Sequence, residues 1–163
     1  AFNPQDVERL KAANTCPRCE LSGADLTQQD LSGANLRDAN LKGSNLSGTN
    51  LRDADLTGAN LEGAILDGAN LTNASLTGAI LKSASLQNTD LTFAGFIGTN
   101  LEAANFQGAN FLLTNFRGAN FRLTTMPTGV VTSDKSYGWA LQQKVEESEK
   151  GNKSEKKQKE KKK

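Results

Sequence analysis

From Leu21 to Phe121 every fifth residue is Leu or Phe, at twenty-one consecutive positions with no insertion. Two residues before each of these centres stands something small, such as Ala34, Ala39, Ser44, Thr49 or Ala59. The residue just before the centre is usually Asn or Asp (Asp25, Asn35, Asn60, Asn110), and the second residue after it is often Gly (Gly23, Gly33, Gly58, Gly108, Gly118). A period of five fits neither the 3.6 of a helix nor the 2 of a long strand. It fits a short extended segment followed by a turn, repeated. The centre and the small residue two before it then share one face and point inward, and the frequent Gly supplies the positive φ that tight turns demand. One such unit cannot bury its own Leu, so units must stack, and a coiled solenoid is the economical solution.

The run from Ala34 to Leu56, ANLRDANLKGSNLSGTNLRDADL, carries the pattern A-(N/D)-L-x-x and resembles the pentapeptide-repeat family, in particular its cyanobacterial and thylakoid-lumen members. The resemblance implies an all-β solenoid: a right-handed quadrilateral parallel β-helix with four pentads, twenty residues, per turn and just over five coils. Short α-helical caps are expected at both ends. The chain divides accordingly into an N-terminal helical cap (1–15), the repeat (16–126), a C-terminal loop and helix cap (127–150) and a Lys-rich tail (151–163).

The residues at the ends support these caps. Asn3 suits an N-cap and Pro4 the first helical position, with Val7 and Leu10 on one face, which predicts a helix over 4–13. Met126 falls where the next centre would stand and Pro127 stops the repeat. Further on, Tyr137, Leu141 and Val145 recur at helical spacing with Trp139 beside them, predicting an amphipathic helix over 135–150 that docks on the coils.

Cys16 and Cys19 are the only cysteines and sit where cap meets coil. A structural disulfide fixing that joint is favoured, with a reduced buried pair as the alternative. A zinc site would need two further ligands from a chain without His, and a redox-active dithiol would need an exposed first Cys in an electropositive setting. The C-x-x-C pair together with the Ala1 start predicts an exported or lumenal protein, in the thylakoid lumen or the periplasm.

The absence of His removes the commonest general base and metal ligand. The acidic residues Asp25, Asp30, Asp55 and Asp90 occupy the slot that Asn fills elsewhere, which points to corner hydrogen bonding rather than acid–base work. No phosphate-binding loop is present, because the glycines follow the turn spacing. The expectation is therefore no enzyme and no cofactor. Gln29 breaks the small-residue rule and is expected to bond the cap or a buried water.

The remaining departures are apolar. Phe106, Phe111, Phe116 and Phe121 put Phe on all four faces of one turn, an aromatic layer that packs the C-terminal end of the core. On the outside, Phe93, Ile97, Leu112 and Leu113 are large where other outward residues are polar. With twenty residues per turn, Phe93 stacks under Leu113, and the four form a candidate interaction patch at one corner. The competing expectation is that the apolar stripe of 137–145 folds back over it.

Charge narrows the function further. The repeat from Leu21 to Leu123 carries nine acids and six bases, a net −3, too little for the DNA mimicry of type II topoisomerase inhibitors within the family. The segment 150–163 carries eight Lys and two Glu, including Lys156, Lys157, Lys159, Lys161, Lys162 and Lys163. Without interleaved aromatics it disfavours specific nucleic-acid binding, and a membrane-surface contact through it is a weak alternative. The expected function is a non-catalytic structural or protein-interaction scaffold with an unidentified protein partner; the runner-up is a regulator of a specific enzyme acting through the apolar corner.

Overall fold

Each pentad closes on itself with one turn and then bonds to the pentad twenty residues away. In the pentad centred on Leu41, Ser44 N donates to Leu41 O (3.0 Å), closing the turn, while Gly43 at φ 65° takes the left-handed conformation that lets the chain bend. Leu41 N donates to Asn60 O (2.7 Å), Gly43 N to Glu62 O (2.9 Å), and Asn40 N to Cys19 O (2.9 Å). The computed structural model describes residues 1–134, and over them this pattern repeats with little change. Parallel bridges link residue pairs twenty apart, from Thr15 with Asn35 to Asn105 with Thr125.

These bridges correct the expected architecture. Among the described residues no β-strand forms: each bridge is a single isolated residue, and the right-handed quadrilateral parallel β-helix, an all-β solenoid with sheet faces, is not what the chain builds. The reason is local. One residue in every five has a positive φ, among them Gly33, Asp38, Gly43 and Gly48, so no extended run is long enough to form a ladder. The chain is instead a stack of turns, twenty residues to a coil, joined by point-like parallel bridges.

The only regular element described is helix α1, Pro4–Ala13. Asn3 caps it by accepting from Gln5 N (2.9 Å), Pro4 opens it, and Asn14 ends it at φ 56° with its N–H on Leu10 O. Val7 and Leu10 are buried against the first coil. The amphipathic helix expected over 135–150 and the Lys-rich tail lie outside the described residues.

Inside the stack the centres Leu21 to Leu91 are sealed from solvent, as are most of the small residues two before them. Where that slot holds Thr, the hydroxyl finds a carbonyl: Thr49 Oγ1 bonds Leu46 O (2.7 Å) and Thr89 Oγ1 bonds Leu86 O (2.8 Å). Ser44 is fully buried and its hydroxyl has no partner. Replacing Ser44 by Ala, the residue most pentads use, is expected to raise stability by about 1 kcal/mol. Urea unfolding followed by circular dichroism checks this; a loss of stability would mean that the hydroxyl has a partner.

The Asn/Asp slot does the corner bonding expected of it. Asp25 Oδ1 accepts from Thr27 N (3.1 Å) and Thr27 Oγ1 (2.7 Å), Asp90 Oδ1 from Thr92 N (3.0 Å) and Thr92 Oγ1 (2.6 Å), and Asn60 Oδ1 from Glu62 N (3.0 Å). These donors favour the ionised form. The Thr27 and Thr92 hydroxyls and N–H groups hold Asp25 and Asp90 below the usual carboxylate range, and Ser32 does the same for Asp30. Burial pushes Asp55 up, yet the Thr57 donors and Arg37 outweigh it and the net shift is downward. A folded pKa below the unfolded one gives stability that is present above the unfolded value of about 4 and lost as pH falls through the folded values. The urea midpoint should therefore hold down to about pH 5 and decline below about pH 4. An Asp25→Asn, Asp90→Asn variant should show a shallower acid decline, and an identical profile would rule out this origin.

Candidate protein-interaction corner

At the N-terminal joint Cys16 and Cys19 form a disulfide (S–S 1.99 Å), both side chains buried beneath α1. The cap is tied to the first coil beside it: Asn3 N donates to Glu20 O (2.9 Å) and Asp6 Oδ2 accepts from Glu20 N (2.8 Å). The carboxylate of Asp6 and the two sulfurs lie within 4.8 Å of one another, a grouping the sequence did not reveal. Here both sulfurs are spent in their mutual bond and the carboxylate in its hydrogen bond to Glu20. Gln29 is half-buried, and its side chain makes no hydrogen bond among the described residues, so the expected tie to the cap is absent.

At the other end, the phenylalanines interlock. Ring centroids lie 5.1 Å apart for Phe106 and Phe111, 4.6 Å for Phe111 and Phe116, and 5.1 Å for Phe116 and Phe121, with Phe96 reaching Phe116 at 5.2 Å from the coil below. Phe96, Phe106 and Phe121 are buried, while Phe111 and Phe116 are only partly so.

The outward residues Phe93, Ile97, Leu112 and Leu113 are exposed to 58, 40, 57 and 67%. Phe93 and Leu113 occupy the same corner one coil apart, with Phe93 N on Leu112 O (3.1 Å). Gly95, without a side chain, lies between Phe93 and Ile97 along the chain. Both Phe93 (φ 57°) and Leu113 (φ 53°) take the left-handed conformation. In lower coils this corner holds Gly33 (φ 66°), Asp53 (φ 60°) and Asn73 (φ 58°), residue types that adopt it cheaply. A bulky apolar residue there costs about 1 kcal/mol or more. Sequence reasoning located these residues but missed their strain, although the signal was present: Phe and Leu stand in the slot where the repeat prefers Gly.

The profile for pentapeptide repeats (8 copies) matches residues 19–58, 54–92 and 94–126. The chain belongs to the pentapeptide-repeat family. Members of this family are generally non-catalytic scaffolds, in keeping with the expectation drawn from the residues of this chain. HetL, a pentapeptide repeat protein involved in heterocyst differentiation regulation in the cyanobacterium Nostoc sp. strain PCC 7120, is similar at 30% identity and a TM-score of 0.54 over 72% of this chain. The match spans 61% of HetL's own length. Rfr23, a pentapeptide repeat protein of the cyanobacterium Cyanothece, is similar at 28% identity and a TM-score of 0.51, over 76% of this chain and 95% of its own. A pentapeptide repeat protein of the Arabidopsis thaliana thylakoid lumen is 35% identical over 64% of this chain and 63% of its own, with a TM-score of 0.40. No curated protein matches. The closed disulfide of this pentapeptide-repeat protein fits an oxidising, extracytoplasmic setting.

Proposed function

We propose that this pentapeptide-repeat protein is an interaction scaffold that engages a protein partner through the corner formed by Phe93, Ile97, Leu112 and Leu113. The observation that carries this reading is the conjunction of strain and exposure. At Phe93 and Leu113 the backbone is left-handed, yet the side chains are large, apolar and more than half exposed. Burial cannot repay that cost within the described residues, and strain held at an exposed apolar site is the mark of a surface kept for contact.

The reading separates stability from function. Phe93→Asn and Leu113→Asn copy Asn73, which takes the same conformation at the same corner. The double variant should be at least as stable as the parent, gaining about 0.5 kcal/mol per site, yet fail to capture the partner from a cross-linked extract of the native source. Capture at the parental level would contradict the reading.

A second reading, regulation of a specific enzyme through this corner, is favoured by the likeness to HetL, which is itself involved in regulating differentiation. It requires that the captured partner be an enzyme whose rate changes on addition of the parent and not of the double variant. The thylakoid lumen or the periplasm is the compartment we assign, supported by the closed Cys16–Cys19 bond. Nucleic acid is disfavoured as a specific partner, since the basic segment 150–163 has no interleaved aromatics to stack on bases, and a membrane-surface contact through its lysines is kept as a weak alternative.

A further inference from the structure

One pentad at the apolar corner lacks the group that finishes its neighbours. In the slot just before each centre, every Asn and Asp accepts on Oδ1 from the N–H two residues later. Thr92 N to Asp90 Oδ1, Leu112 N to Asn110 Oδ1 and Arg117 N to Asn115 Oδ1, each 3.0 Å, are the nearest examples. Gly95 holds this slot between Phe93 and Ile97, the one glycine to do so in the repeat. Ile97 N therefore has no acceptor among the described residues. Where the slot holds Ile65, Ser75 or Ile80, a side chain still occupies it; at Gly95 there is none.

The fold does not ask for this glycine. Gly95 lacks the positive φ of the turn glycines, and a Cβ added to it would meet no heavy atom within 4 Å. Asn115 stands directly above it and Ser75 directly below, each joined to it by a parallel bridge, and Asn35 opens the same column. A glycine kept where Asn fits gives up stability through the freedom of the unfolded chain. What it leaves is a slot one side chain wide.

The walls of that slot are apolar and its polar groups are donors. Phe93 and Ile97 flank it along the chain, with Leu113 one coil above Phe93 and Arg117 one coil above Ile97. Asn115 Oδ1 is taken by Arg117 N, so its amide has N–H groups left to give. Arg117 is exposed and makes no ion pair among the described residues. The nearest carboxylates are engaged elsewhere. Asp55, two coils below Gly95, is paired to Arg37 (3.0 Å), and Asp90, on the preceding face, is committed to Thr92. A free N–H, an amide donor and an unpaired guanidinium call for an anionic acceptor, and the walls call for apolar groups beside it.

We propose that the Gly95 slot receives an aspartate or glutamate side chain of the protein partner. Its carboxylate gives Ile97 N the acceptor that Asn or Asp gives elsewhere in the repeat, and Arg117 pairs with the same group. Apolar residues flanking that acid in the partner pack on Phe93, Leu113 and Ile97. This rests on the reading of the corner as an interaction site and adds the chemistry that the corner selects.

The probe is a phage-displayed library of random heptapeptides, selected on the intact chain. Enriched peptides are expected to carry an acidic residue between apolar ones. Gly95→Asn restores the side chain found at Asn35 and Asn115, gives Ile97 N its own acceptor, and should unfold in urea at or above the parental midpoint. The tightest peptide should bind this variant about tenfold more weakly or worse, and Arg117→Gln about fivefold more weakly. Its own acid-to-alanine form, a change that leaves the protein untouched, should lose about tenfold. On titration into isotope-labelled protein, the Ile97 amide proton should move downfield as it gains an acceptor. No enrichment, enriched peptides without an acid, or parental affinity in Gly95→Asn overturns the proposal. Binding lost in Phe93→Asn, Leu113→Asn but kept in Gly95→Asn removes the slot and leaves the corner. Acid-dependent binding lost in Gly95→Asn but kept in the corner double variant removes the corner and leaves the slot.

Discussion

Truncating Phe106 to alanine is expected to destabilise the C-terminal coil by about 4 kcal/mol. The ring is fully buried and touches Phe96 (6.1 Å), Phe111 (5.1 Å) and Phe116 (6.2 Å), so its removal takes away the piece that the other three rings share. The loss should stay local. In a stack where each coil rests only on its neighbours, an end coil can open without the rest. Amide exchange should therefore rise sharply from about residue 101 onward, while amides near Leu41 and Leu61 keep their parental protection. Uniform loss of protection along the chain would show that the stack unfolds as one unit.

Leu61→Ala tests the opposite case. Leu61 lies mid-stack with Leu41 one coil before it and Leu81 one coil after, all fully buried. Its backbone is fixed by Leu61 N to Ile80 O (2.7 Å), so the site can collapse little around the cavity. A loss of about 3 kcal/mol is expected. It should move the main urea transition, because no end coil can absorb it. A loss below about 1 kcal/mol would mean that the leucine columns are not close-packed.

Much of this was legible from residues alone, because a five-residue period leaves few ways to bury one Leu per unit. The inward pair of Leu and small residue, the corner role of Asn and Asp, and α1 over 4–13 all follow from short-range chemistry. The sheet did not follow. The Gly, Asp and Asn residues that make the turns also break the extended backbone at every fifth position, so faces that read as strands are single bridges. The disulfide could not be separated from a reduced pair, since spacing alone does not report oxidation state. Residues 93, 97, 112 and 113 were picked out by their misplaced hydrophobicity, whereas the left-handed backbone at Phe93 and Leu113 shows only once the turn geometry of the coils is known.

The central claim, that the corner at Phe93 and Leu113 is the working surface, is tested most directly by site-specific photo-cross-linking. A photoreactive phenylalanine analogue would replace Leu113 in one protein and Asn73, at the same corner two coils below, in another, each exposed to native extract. Adducts with a distinct protein from position 113 and none from position 73 are the predicted result. Equal adducts from both positions, or none from position 113, would contradict the account.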